Sequence, residues 1–159
     1  LAMGDALAVA VLEARGFSAE EFALRHPGGS LGRRLLLRVA DLMRTGAALP
    51  RVGPDTLLAA GLVEMSAKGL GLTAVVDDTD RVLGVFTDGD LRRLLLKEGE
   101  HILDKKIGSL VYKTPISIDS DALLNEAAAV FKKTSVDTIL VTENGKPTGM
   151  LDVQDLEED

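Results

Sequence analysis

A chain of 159 residues, 46% hydrophobic and 27% charged, is long enough for one sizeable core or two small ones sharing an interface. Its net charge of −7, with no long Lys/Arg-rich segment, argues against nonspecific binding to nucleic acid or anionic membrane, and 3% aromatic residues leave little for base stacking. With no cysteine, disulfides, thiolate nucleophiles and Cys-ligated metals are excluded, and His26 and His101, far apart and without a carboxylate cluster at ligand spacing, argue against a protein-built zinc site.

No apolar run reaches the roughly 20 residues of a membrane helix, so a cytoplasmic location is expected. The opening LAMGDALAVA lacks a charged leader and starts as though in mid-helix, so the chain reads as part of a longer one. GDALAVAVLEARG carries an apolar helical pattern that ends at Gly16, a residue suited to a C-cap. Next, SAEEFALRH begins with a capping box, Ser18 with Glu21, and must stop before Pro27. Gly28 and Gly29 release the backbone directly after His26. Arg33, Arg34 and Arg38 form the most basic patch, interleaved with Leu35, Leu36 and Leu37.

From about residue 40 the chain repeats itself. At an offset of 65, Gly84 pairs with Gly149, Asp90 with Asp155 and Leu91 with Leu156. The same offset pairs Pro50 with Pro115, Leu58 with Leu123, Thr73 with Thr138 and Val76 with Val141, with no gap required. In the first copy Asp55 is expected to cap a helix whose buried stripe is Leu58, Leu62 and Met65. In the second, Ser120 is the expected cap and Leu123, Ala127 and Val130 the stripe. Each helix leads to a short strand, TAVVD or TILVT, and then to a polar turn, DTDR or ENGK. Asn144 and Gly145 in the second turn are a hairpin signal. A further strand, VLGVF or TGML, runs into an acidic junction and a helix, long in DLRRLLLKEG and cut short in DLEED. Between the copies, His101 lies in a polar linker, KEGEHILDKK, and Lys132 and Lys133 suit the C-terminal end of their helix.

The motif Gly84-Val85-Phe86-Thr87-Asp88-Gly89-Asp90-Leu91, with its echo from Gly149 to Leu156, resembles the tandem cystathionine-β-synthase-type module, or CBS pair. The resemblance covers roughly residues 40 to 159. It implies a mixed α/β (α+β) fold of two βαββα units in a pseudo-two-fold disc, with clefts between the sheets for adenosyl or other nucleotide ligands. It also implies that Asp90 and Asp155 accept ribose hydroxyls while Thr87 and the adjoining helix N-terminus approach a phosphate. A carboxylate suits hydroxyl donors, and free amides with the helix dipole suit an anion. The second copy departs from the pattern, because Asp152 stands in the place of Thr87 and puts a negative charge where a phosphate would sit. Unequal sites are expected. Taken singly, Asp88, Asp90, Asp152 and Asp155 are also ordinary acids for the first turn of a helix.

The stretch from Gly4 to about Met43, with HPGGSLGR at its centre, resembles the end of the sugar isomerase domain of D-arabinose 5-phosphate isomerases, where it precedes a CBS pair. The expected division is residues 1–39 as the tail of that domain and linker, 40–100 as the first CBS unit, and 101–159 as the second, truncated at its C-terminus. The family interconverts arabinose 5-phosphate and ribulose 5-phosphate in Kdo and lipopolysaccharide synthesis, and His26 matches a histidine counted in its active site. Imidazole moves protons near neutral pH. The sugar-binding portion of that domain lies outside these 159 residues, so the chain by itself is expected to be inactive. The resemblance therefore implies a regulatory module for CMP-Kdo, AMP or ATP, with no other cofactor and no metal. Apolar patches left on the disc's helices are expected to meet another copy. The alternative is a structural oligomerisation module that binds nothing.

Overall fold

The computed structural model describes residues 36–111 and 114–156. A short helix, α1 (Val39–Leu42), precedes the first unit, which comprises β1 (Arg51–Val52), α2 (Leu58–Lys68), β2 (Leu72–Val76), β3 (Val82–Thr87) and α3 (Asp88–Glu98). Two 3₁₀ turns, Glu100–Asp104 and Ile107–Ser109, lead to the second unit. This comprises β4 (Ser117–Asp119), α4 (Leu124–Thr134), β5 (Thr138–Glu143), β6 (Lys146–Asp152) and a 3₁₀ turn over Val153–Leu156. Each unit has a three-stranded sheet, ordered β1-β2-β3 or β4-β5-β6, with the first pair parallel and the second antiparallel.

Strand alternation divides each sheet into two faces. On one, Val75 and Phe86 pack with Leu58 and Leu94, as Ile139, Val141 and Leu151 pack with Leu124, Ala127 and Phe131. On the other, Leu72 and Ala74 meet Leu140 and Met150, with Leu49 and Leu70 completing the layer between the sheets. The units are joined through this apolar layer, and Val82 N donates to Gly145 O across it at 3.1 Å.

The counterparts are not spaced by a constant 65. Val75 pairs with Gly84 and Val141 with Gly149, so the second hairpin is one residue shorter than the first. Before the hairpin the offset is 66, which makes Leu124 the counterpart of Leu58, Ala127 of Gly61 and Phe131 of Met65. The buried stripe of α4 is therefore Leu124, Ala127 and Phe131, while Leu123 is its N-cap residue and Val130 only half-buried. Gly84 and Gly149 remain counterparts because they lie beyond the shorter turn. That turn is tight: Asn144 and Gly145 have φ of 52° and 78°, as a two-residue hairpin requires.

Asp55 and Ser120 do not cap the helices, which start at Leu58 and Leu124. Asp55 pairs with Lys106 at the surface, 2.7 Å away, and the Ser120 hydroxyl donates to the Glu143 carboxylate. The first helical amides are satisfied by backbone from elsewhere: Leu58 N donates to Lys105 O at 2.9 Å and Leu124 N to Leu37 O at 3.0 Å.

Those bonds belong to a crossed arrangement. The segment before the first unit packs on the second: Val39, fully buried, joins the core around Phe131 and Leu151, and its amide reaches Ala122 O at 2.9 Å. The segment between the units packs on the first: Ile102, Ile107 and Leu110 join the core around Leu58 and Phe86, and Ile107 N reaches Thr56 O at 2.8 Å. The stretch read as a polar linker thus has an exposed His101 beside a fully buried Ile102.

Candidate ligand cleft between the two units

Strand β3 ends where its backbone turns into α3, and Thr87 is the N-cap, extended at φ −122°. Thr87 Oγ1 accepts the Asp90 amide at 3.2 Å, while Asp90 Oδ2 accepts the Thr87 amide at 3.0 Å and the Thr87 hydroxyl at 2.8 Å. This is a capping box closed by aspartate. The other oxygen, Oδ1, pairs with Arg93 one turn along the same helix.

The second junction has the same core with different partners. Asp155 Oδ2 accepts the Asp152 amide at 2.9 Å, the counterpart of the bond between Asp90 and Thr87. Asp152 Oδ1 accepts from Gln154 N at 3.0 Å, and its Oδ2 accepts from the Thr138 hydroxyl at 3.1 Å. Asp155 Oδ1 takes the guanidinium of Arg44 at 3.0 Å, from a segment 111 positions upstream.

Beside the first junction a cleft of about 480 Å³ opens between the units. Thr87, Gly89, Arg92 and Arg93 form one wall, with Ser135, Asp137 and Thr138 of the second unit opposite. Gly89 suits a wall that a ligand approaches closely, since it has no side chain there. Arg92 and Arg93, exposed on the first turns of α3, add two cations to the dipole of an 11-residue helix. Asp88 and Asp137 oppose them, so the cleft is mixed in charge.

Of the residues singled out from sequence, Thr87 and Asp90 are bonded to one another, and Thr87 lines the cleft while Asp90 braces it from behind. Asp155 lies at the other junction, held by Arg44. His26 lies outside the described residues. Sequence reasoning missed Arg92, Arg93, Asp137, Thr138 and Arg44. Arg92 and Arg93 had a signal: at the motif's own offset of 65 their counterparts are Glu157 and Glu158, a reversal of charge. Among the described residues, no cluster of three or more His, Asp or Glu side chains is arranged to hold a metal. No described helix is long and apolar enough to cross a membrane.

Comparison with known proteins bears on this arrangement. The family model described as "CBS domain" matches residues 39–97 and 107–158. The arabinose 5-phosphate isomerase KdsD of Yersinia pestis is 43% identical over 156 residues, covering 98% of this chain and 47% of that protein. The enzyme of the same name from Pseudomonas aeruginosa is 43% identical over 157 residues, 98% of this chain and 48% of its own. The chain thus spans about half the length of the curated relatives it matches. Among solved structures, CBSX2 in complex with AMP superposes with a TM-score of 0.65 at 27% identity, over 76% of this chain and 92% of that one. The doubled motif, the paired three-stranded sheets and the family match together assign the chain to the CBS-domain family, as a tandem pair.

Proposed function

We propose that this CBS pair is the ligand-sensing module of an arabinose 5-phosphate isomerase, and that it binds a nucleotide or nucleotide sugar such as AMP, ATP or CMP-Kdo. The observation that carries the reading is the cleft of about 480 Å³, with Thr87, Arg92, Arg93 and the start of α3 on one wall. An anionic group fits that wall, because two guanidinium groups and the dipole at the start of α3, beside Thr87, supply donors and positive charge. Asp90 serves ribose hydroxyls through Oδ1, the oxygen held by Arg93, once that guanidinium turns to the ligand, and Asp155 serves them at the second junction. AMP in the related CBSX2 structure supports a nucleotide as the ligand class. The second junction is the poorer seat for phosphate, with Asp152 for Thr87 and Glu157 and Glu158 for the arginines.

In this reading residues 1–39 are the end of the sugar isomerase domain, residues 40–100 and 101–159 are the two CBS units, and His26 is the counterpart of an active-site histidine. The chain by itself is inactive, and the longer protein interconverts arabinose 5-phosphate and ribulose 5-phosphate in the cytoplasm. Leu96, 90% exposed on α3, and Val63, 71% exposed on α2, favour a second copy as a protein partner.

The test is calorimetric titration of the chain with AMP, adenosine and CMP. AMP is expected to bind, adenosine more weakly, and Arg92→Ala with Arg93→Ala to weaken AMP about tenfold while leaving adenosine nearly unchanged. Absence of binding by any of the three, at millimolar concentration, would establish the structural oligomerisation module instead.

A further inference from the structure

We propose that the Arg44–Asp155 ion pair is a latch by which occupation of the second junction loosens the segment leading into the first unit. The proposal rests on the reading of Asp155 as a ligand residue. Arg44 is joined to β6 by reciprocal backbone bonds, its amide to Met150 O at 2.8 Å and the Met150 amide to Arg44 O at 2.9 Å. Its side chain then extends to Asp155 Oδ1 at 3.0 Å. Backbone and side chain therefore fasten the same short segment to the strand and to the turn that follows it.

The two junctions also differ in what holds Oδ1. Asp90 gives its Oδ1 to Arg93, which lies on the same helix and moves with it. Asp155 gives its Oδ1 to a residue that precedes β1. Because Oδ2 already holds the Asp152 amide, Oδ1 is the oxygen open to exchange. The Asp155 side chain is 13% exposed and the Arg44 side chain 42%. Hydroxyl groups that reach Asp155 Oδ1 must displace the guanidinium from it. Docked Arg44 and bound ligand exclude one another, and each weakens the other by the same factor.

The experiment uses the full chain carrying Asp90→Asn, which removes the carboxylate of the first junction, and AMP as the probe. Adding Arg44→Gln is expected to tighten AMP about fivefold in calorimetry, the low end for a coupled pair of sites. With Arg44 in place, AMP is expected to speed hydrogen exchange of the Arg44 and Met150 amides about fivefold. The exchange measurement needs no variant at Arg44 and stands even where Arg44→Gln folds poorly. AMP bound with unchanged affinity and unchanged exchange overturns the latch and leaves the ligand reading intact. Loss of all AMP binding with Asp90→Asn confines the nucleotide to the first cleft and also overturns the latch. AMP that fails to bind even the unaltered chain removes both.

Discussion

Thr87 and Asp90 each satisfy the other's backbone amide, and a third bond of 2.8 Å joins the Thr87 hydroxyl to Asp90 Oδ2. The wall of the cleft and the start of α3 therefore depend on the same pair. Asp90→Ala is expected to cost about 1–2 kcal/mol of stability, the scale for loss of a helix cap, in urea denaturation followed by circular dichroism. Thr87→Ala should cost a similar amount, and the double variant less than the two together, because both remove shared bonds.

Thr73 is fully buried on the helix-facing side of β2, and its hydroxyl has no hydrogen-bond partner. Its counterpart in the second unit, 66 positions on, is Ile139, a core residue with no polar atom in its side chain. Thr73→Val keeps the branching and removes the unpaired hydroxyl. A gain of about 1 kcal/mol is expected, read as a raised urea midpoint with unchanged slope.

Gly149 lies under the connecting segment. A Cβ built there would sit 2.6 Å from Met43 Sδ and 3.0 Å from Arg44 O, and the second of these is backbone. Gly149→Ala must push the segment off β6, at a cost of about 2 kcal/mol, within the range for overpacked sites. Hydrogen exchange of the Met150 amide should rise with it. A variant as stable as the parent would show that the segment has room to shift.

Two half-buried carboxyls are held below their ordinary range. At Asp77 the causes are the Arg81 amide and then the Thr79 hydroxyl, and at Glu98 the hydrogen bond from Lys105 followed by its charge. A carboxyl lowered on folding stabilises the fold above its unfolded value, and that contribution is lost as pH falls through the folded one. Stability should therefore fall on acidification below the ordinary carboxylate range. Asp77→Asn and Glu98→Gln should each flatten the dependence of Tm on pH in that acid window and leave its shape near neutrality unchanged.

The architecture was legible because both units keep the apolar strand, hairpin and acidic junction in order. The register before the hairpin was not legible. Identical residues at an offset of 65, such as Thr73 and Thr138, suggest one spacing, but burial matches Thr73 with Ile139. The Leu123-Leu124 pair hides the slip, since either leucine satisfies the pattern. Asp55 and Ser120 look like caps because they are polar and precede a helix. The carbonyls that serve Leu58 and Leu124 come from Lys105 and Leu37, and no local pattern contains them. In the candidate site, Thr87 and Asp90 are read from one motif, as a cap must be. Arg44 could not be, since nothing near it in sequence announces a partner 111 positions away. The far wall of the cleft, with Asp137 and Thr138, exists only once the two sheets have met.

The crossing of the connecting segments sets an order on synthesis. Val39 leaves the ribosome early, yet the core that buries it is completed by Phe131, Ile139 and Leu151. The first core closes only when Ile102, Ile107 and Leu110 have followed α3. Val39 must therefore wait, unburied, while the whole first unit is made and closed. When the second sheet forms, it takes up a segment from the far side of a finished neighbour and ties the two ends of the described chain together. A cut between residues 100 and 101 would leave each half without part of its own core. The pair should melt in one step rather than two.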